Sequence, residues 1–239
     1  MNAKPTSAGS PARLPAAWRR WGAFVRRPIL PERADIGFAG GIKAIAPLLG
    51  LDLLIMALLI GALSLATKLG YHLPTHALDN MKLGGLLISL VVLGAPVIEE
   101  TAFRGWLSGR PGHVAAILVL VAGGVWTAVH RMNVIGLVGM AAAVVIAGAL
   151  LWLLRRRPPF AWFQNHFAWF FWGSALAFAA LHLTNFAAAG PAMFPLVLPQ
   201  FVLALFLGYL RVTRGLWTSA LMHMLHNAVF IGLVLAGLG

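Results

Sequence analysis

The chain has 239 residues, 60% of them hydrophobic and only 10% charged, with a mean hydropathy of +0.86. A water-soluble domain carries about 25% charged residues, so this composition excludes a soluble globule and points to an all-α, polytopic transmembrane helix bundle. The lack of any cysteine excludes thiol catalysis, disulfides and thiolate-held metal, while the net charge of +12 raises a nucleic-acid reading that the positions of the 18 Lys and Arg decide.

Residues 1–35 hold Lys4, Arg13, Arg19, Arg20, Arg26, Arg27 and Arg33 among prolines and alanines, with no run long enough to cross a bilayer. They read as a basic cytosolic tail, because the apolar core of a secretory signal is missing. Within the tail, Trp18 to Val25 is expected to lie along the membrane surface, with Trp18, Trp21 and Phe24 toward lipid and the arginines toward anionic head groups. Residues 36–239 form the membrane-embedded bundle. Apolar runs predict spans at about Ala44 to Ala66, Leu83 to Leu107, His113 to Val129, Val134 to Leu154, Ala168 to Phe186, Phe194 to Leu210 and Leu216 to Leu235. Seven is the central value in a range of six to eight. Unpaired backbone amides are too costly in hydrocarbon, so these runs are helices; the short alternating segments of a β-barrel are absent. Pro96, three residues before an acidic pair, marks the second span for a kink.

Counting Lys and Arg on alternate sides of seven spans places fifteen on the side of the N-terminus. Only Lys68, Lys82 and Arg131 lie on the other. Basic residues are retained on the cytoplasmic side, so the N-terminus is expected in the cytoplasm and the protein in a bacterial inner membrane. The charge thus encodes topology, and no nucleic-acid partner is expected.

An ionisable group inside a span costs about 2.5–3.5 kcal/mol on insertion scales, so each one needs a partner or a task. These groups are Asp52, Glu99, Glu100, Arg104, His182, His223 and His226, with Asn185 and Asn227 as polar companions. Glu100 and Arg104 are four residues apart and share a helix face, which allows an ion pair. Glu99 points about 100° away and is left available as a general base. An equally open reading has both acids capping the span and binding Arg104 and Arg110. Phe178 and His182 share a face, as do His223 and Asn227; a histidine or asparagine in such a place also serves as interhelical glue. The conjunction favours chemistry: three spans together supply the parts for activating water and holding an oxyanion. Asp52 reads as a hydrogen-bonding partner for a neighbouring helix or for Lys43.

Glu99-Glu100-x-x-x-Arg104, Phe178-x-x-x-His182 and His223-x-x-x-Asn227, in that order on membrane helices, resemble the three motifs of the CPBP family of intramembrane proteases. That group includes the eukaryotic CAAX prenyl endopeptidase (the Ras-converting enzyme) and the bacterial Abi or bacteriocin-processing proteins. The resemblance covers about residues 83–230. One departure is the long interval between Arg104 and Phe178, which holds two spans and the Arg155 to Arg157 loop. The resemblance implies an endopeptidase acting on a membrane-associated substrate, CAAX-like or leader-bearing. In it Glu99 activates water with help from His182, His223 and Asn227 stabilise the oxyanion, and Glu100 and Arg104 orient the site. No cofactor is expected; a zinc alternative would use Glu99, His182 and His223, although HExxH is absent. Trp172-Gly173-Ser174-Ala175 lacks the setting of a serine nucleophile.

Depth along the helices poses a difficulty. At 1.5 Å per residue, His223 and Glu99 lie about 10–12 Å from the inner end of their spans but His182 about 21 Å, so either the fifth span starts later, or it is tilted or kinked, or the site is not assembled; a start at Trp172 closes only about half the gap. A non-proteolytic scaffold or bacteriocin-immunity protein and a proton-coupled transporter using Asp52, Glu99 and the histidines are the competing functions.

Overall fold

The computed structural model describes residues 14–72, 74–75, 83–186 and 191–237. Lys4, Arg13 and Lys82 of the charge count lie outside them. Among the described residues the chain is helical: α1 (Ala16–Arg26), α2 (Phe38–Lys68), α3 (Gly85–Ser89), α4 (Ala95–Arg104), α5 (Pro111–Val129), α6 (Val134–Leu153), α7 (Ala161–Asn165), α8 (Phe167–His182), α9 (Leu198–Arg214) and α10 (Leu216–Leu235). A π-helical segment, Leu90–Gly94, joins α3 to α4 and a 3-10 turn, Gly105–Ser108, extends α4, so that Gly85–Ser108 forms one span. Seven helices among the described residues are long and apolar enough to cross a membrane, as the sequence predicts, and the first of them is longest at 31 residues. Their outer faces carry exposed large apolar side chains such as Leu58, Leu86, Ile98 and Trp169, the pattern of a surface solvated by lipid.

Successive spans run antiparallel. One end of the bundle therefore collects the starts of α2, α5, α8 and α10 with the ends of α4, α6 and α9. At this end Asp35, just before α2, pairs with Arg214 at the end of α9, and Phe160 N–H donates to the Gly109 carbonyl at 2.9 Å. Thirteen of the described Lys and Arg residues lie here; only Lys68 and Arg131 belong to the opposite end.

The helix α1 does not meet the expectation that its rings face lipid. Trp21 stacks on Phe206 of α9 with ring centroids 4.1 Å apart, Phe24 packs edge-on against Phe171 and Tyr209, and Trp18 Nε1 donates to the Pro47 carbonyl of α2 at 2.7 Å. The amphipathic face is real, but the apolar surface it covers belongs to the protein. Arg19 and Arg20 remain exposed on the other side.

Helix association in lipid relies on close packing of small residues and on interhelical hydrogen bonds, because burial of apolar surface from water contributes little there. The pair α5–α6 illustrates this. A Cβ built on Gly123 would sit 2.6 Å from the Ala143 Cβ, and Thr127 Oγ1 lies 2.8 Å from the Gly123 carbonyl and 3.0 Å from the Gly136 carbonyl across the pair. This hairpin is the long interval that separates the first two motifs. It packs chiefly on itself and lines none of the main cavity described below. Gly123→Leu is therefore expected to destabilise the protein by about 1–3 kcal/mol through overpacking, lowering Tm in detergent while leaving turnover per folded molecule unchanged.

Candidate active site

The site begins with a proline. In the π register the Ala95 N–H bonds to the Leu90 carbonyl five residues back, so the next residue would pair with Val91. That residue is Pro96, which has no N–H. The stranded Val91 carbonyl, deep in a span, accepts instead from Asn227 Nδ2 of α10 at 2.9 Å. The distortion expected at Pro96 is thus a π segment, and Asn227 satisfies it with one of its two amide hydrogens, leaving the second.

One turn further on, Glu100 is fully buried and collects three donors. Arg104 Nη1 and His223 Nδ1 each lie 3.0 Å from Oε1, and Ser219 Oγ donates to Oε2. With only donors around it, Glu100 is a carboxylate. Arg104 is 1% exposed and its guanidinium also lies 4.0 Å from the centroid of the Phe178 ring, a desolvated cation–π contact. Arg211 of α9 closes the end of this helix, with Nε 2.7 Å from the Arg104 carbonyl and Nη2 2.8 Å from the Gly105 carbonyl. A cation at this end of the helix also complements the helix dipole.

Glu99 lies on the other face, as the 100° step per residue requires. Its side chain is 25% exposed, and its Oε2 is 3.7 Å from His223 Nε2. It opens on a cavity of about 580 Å³ with Phe178, His182, His223, Asn227, Gln200 and Asn185 among the lining residues. His182 Nδ1 is 2.8 Å from the Phe178 carbonyl. A carbonyl only accepts, so Nδ1 carries a hydrogen and the neutral ring leaves Nε2 as an acceptor. His223 is committed in the same sense, with Nδ1–H given to the Glu100 carboxylate; its Nε2 donates only when the ring is doubly protonated. The expected later start of the fifth span is not what forms: α8 begins at Phe167 and His182 is its last residue. The Phe178 ring contacts both histidines, 4.5 Å from the His182 ring and 5.8 Å from that of His223.

Two groups escaped the sequence reading. Ser219, which holds the second oxygen of Glu100, stands four residues before His223 and so shares its helix face, a signal that was present. His226, singled out only as a polar residue in a span, pairs through Nδ1 with Asp52 Oδ2 at 2.6 Å and also lines the cavity. Asp52 thus bonds to a neighbouring helix, as expected, with His226 as its partner. Arg110, the other arginine offered as a cap for the acids, instead donates to the Arg155 carbonyl at 3.3 Å. Among the described residues no group of three or more His and acidic side chains comes together closely enough to hold a metal ion, and the set Glu99, His182 and His223 forms no such group.

The sequence model for the Rce1-like type II CAAX prenyl endopeptidases matches residues 83–162 and 152–229 of this chain. The matched region holds all the motif residues above. No curated protein and no solved structure matches the chain significantly.

Removing one partner of a buried ion pair costs about 3–5 kcal/mol, whereas replacing both with apolar residues costs far less. Glu100→Ala should therefore lower Tm sharply, Glu100→Leu/Arg104→Met should recover most of that loss, and Glu99→Gln should barely shift Tm. Equal destabilisation by Glu99→Gln and Glu100→Ala would contradict the division of labour between the two acids.

Proposed function

The chain belongs to the Rce1-like family of type II CAAX prenyl endopeptidases, and from that premise we propose that it is an intramembrane endopeptidase using Glu99 as a general base. The substrate is a peptide bond in a membrane-associated protein. The observation that supports this reading is the split between two adjacent carboxylates. Glu100 is saturated by Arg104, Ser219 and His223, while Glu99 faces the cavity with its Oε2 3.7 Å from His223 Nε2.

In the reaction Glu99 takes one proton from a water molecule, and His182 Nε2 accepts the hydrogen bond of the other. The water oxygen bonds to the scissile carbonyl carbon, and the C=O electron pair moves onto oxygen. That oxyanion receives hydrogen bonds from Nε2–H of doubly protonated His223, which lies between the Glu99 and Glu100 carboxylates, and from the second amide hydrogen of Asn227. Collapse breaks the C–N bond, and the proton on Glu99 passes to the leaving nitrogen. Glu100 and Arg104 are positioning residues: they fix the His223 ring and never touch the substrate. The scheme uses no metal.

The excess of Lys and Arg at one end of the bundle supports an N-terminus in the cytoplasm, with the protein in a bacterial inner membrane. Glu99→Gln should reduce hydrolysis of a membrane-anchored peptide by about 10²–10⁴-fold with KM little changed, and the wild-type rate should survive chelation. Full activity in Glu99→Gln, or a chelator-sensitive rate restored by zinc, would refute the proposal.

A further inference from the structure

The cavity has a direction. Glu99, Phe178 and His223 form its floor, and its remaining wall residues climb toward one end. Leu87 lies two residues after the start of α3, Pro199 one after the start of α9, Asn185 at the end of the turn that follows α8, and Phe230 five before the end of α10. By the antiparallel order of the spans, all of these belong to the end opposite the arginine-rich one. Below the floor the bundle is sealed. Arg104, Ser219, Phe206, Leu207 and Leu210 are at most 1% exposed, and Arg211 ties α9 to the last carbonyls of α4.

Basic residues near span ends mark the cytoplasmic side, and thirteen of the fifteen described Lys and Arg residues lie at the sealed end. We infer that the active-site cavity opens on the non-cytoplasmic face of the membrane, and that its substrate is an apolar peptide segment presented from that side, after export or from the outer leaflet. A cytosolic C-terminus has no route to Glu99 through the sealed end. The wall suits such a segment: Met56, Ile60, Leu87 and Val91 are apolar. The substrate half of this inference rests on the peptidase reading; the sidedness of the mouth does not.

The chain contains no cysteine, so single-cysteine variants report without background. Asn185→Cys at the mouth and Arg156→Cys at the sealed end are each treated with a membrane-impermeant maleimide in spheroplasts and in inverted membrane vesicles. The expected result is labelling of Asn185→Cys in spheroplasts only and of Arg156→Cys in inverted vesicles only. The reverse pattern overturns the inference, and so does labelling of a folded Asn185→Cys from neither side, which would mean that the mouth is closed to water. In a second arm, one apolar reporter segment is anchored with its cleavage site on either face; wild type should cut only the outward-facing one and Glu99→Gln neither. Cutting of the inward-facing reporter overturns the substrate half. Absence of cutting in both, with the expected labelling, refutes the peptidase reading and leaves the sidedness standing.

Discussion

The ion pair between Glu100 and Arg104 holds this structure in its working form. Neither charge could stay in a membrane span unpaired, and i,i+4 spacing on one helix brings them together without help from the rest of the bundle. Each partner then reaches outward. Glu100 takes a hydrogen bond from Ser219 and another from His223, which fixes α10 against α4. Arg104 lays its guanidinium on Phe178, which fixes α8. One neutralised pair therefore sets three helices in register around a single point.

Everything chemical is arranged by what that pair leaves over. With Arg104 spent on Glu100, the neighbouring Glu99 keeps a carboxylate facing the cavity. With His223 Nδ1 spent on Glu100 and His182 Nδ1 spent on a carbonyl, each ring keeps its Nε2, and both residues line the same cavity. Asn227 shows the same economy, since one amide hydrogen repairs the carbonyl stranded by Pro96 and the other remains. In the proposed reaction the working atoms are the unused valences of groups whose first partner is structural. The Asp52–His226 pair, one turn along α10 from His223, repeats the carboxylate–imidazole arrangement at the wall of the cavity.

How much of this the sequence carried depends on the range of each interaction. The spans were legible because a lipid solvent demands long apolar helices, and the Glu100–Arg104 pair because both residues lie on one helix. The partner of Asp52 was not, since 174 residues separate it from His226 and only packing brings them together. Nor was the hydrogen bond from Asn227 to Val91, which exists only because the helix shifts into a π register before Pro96. The aromatic face of α1 was visible but its target was not, because lipid and the faces of α2 and α9 look alike to an amphipathic helix. The depth arithmetic set His182 apart from His223; in the fold both rings lie against Phe178, a contact between α8 and α10 that only the packing reveals.

In the proposed reaction Glu99 and not Glu100 faces the reacting carbonyl, with His223 and Asn227 on the oxyanion. A structure with a phosphinate peptide bound, its tetrahedral phosphorus standing in for the attacked carbon, tests it directly. One phosphinate oxygen is expected within hydrogen-bond distance of His223 Nε2 and Asn227 Nδ2 and the other beside Glu99 and His182, with the Glu100–Arg104 pair unmoved. A phosphinate held through a metal ion, or seated away from Glu99, would contradict it.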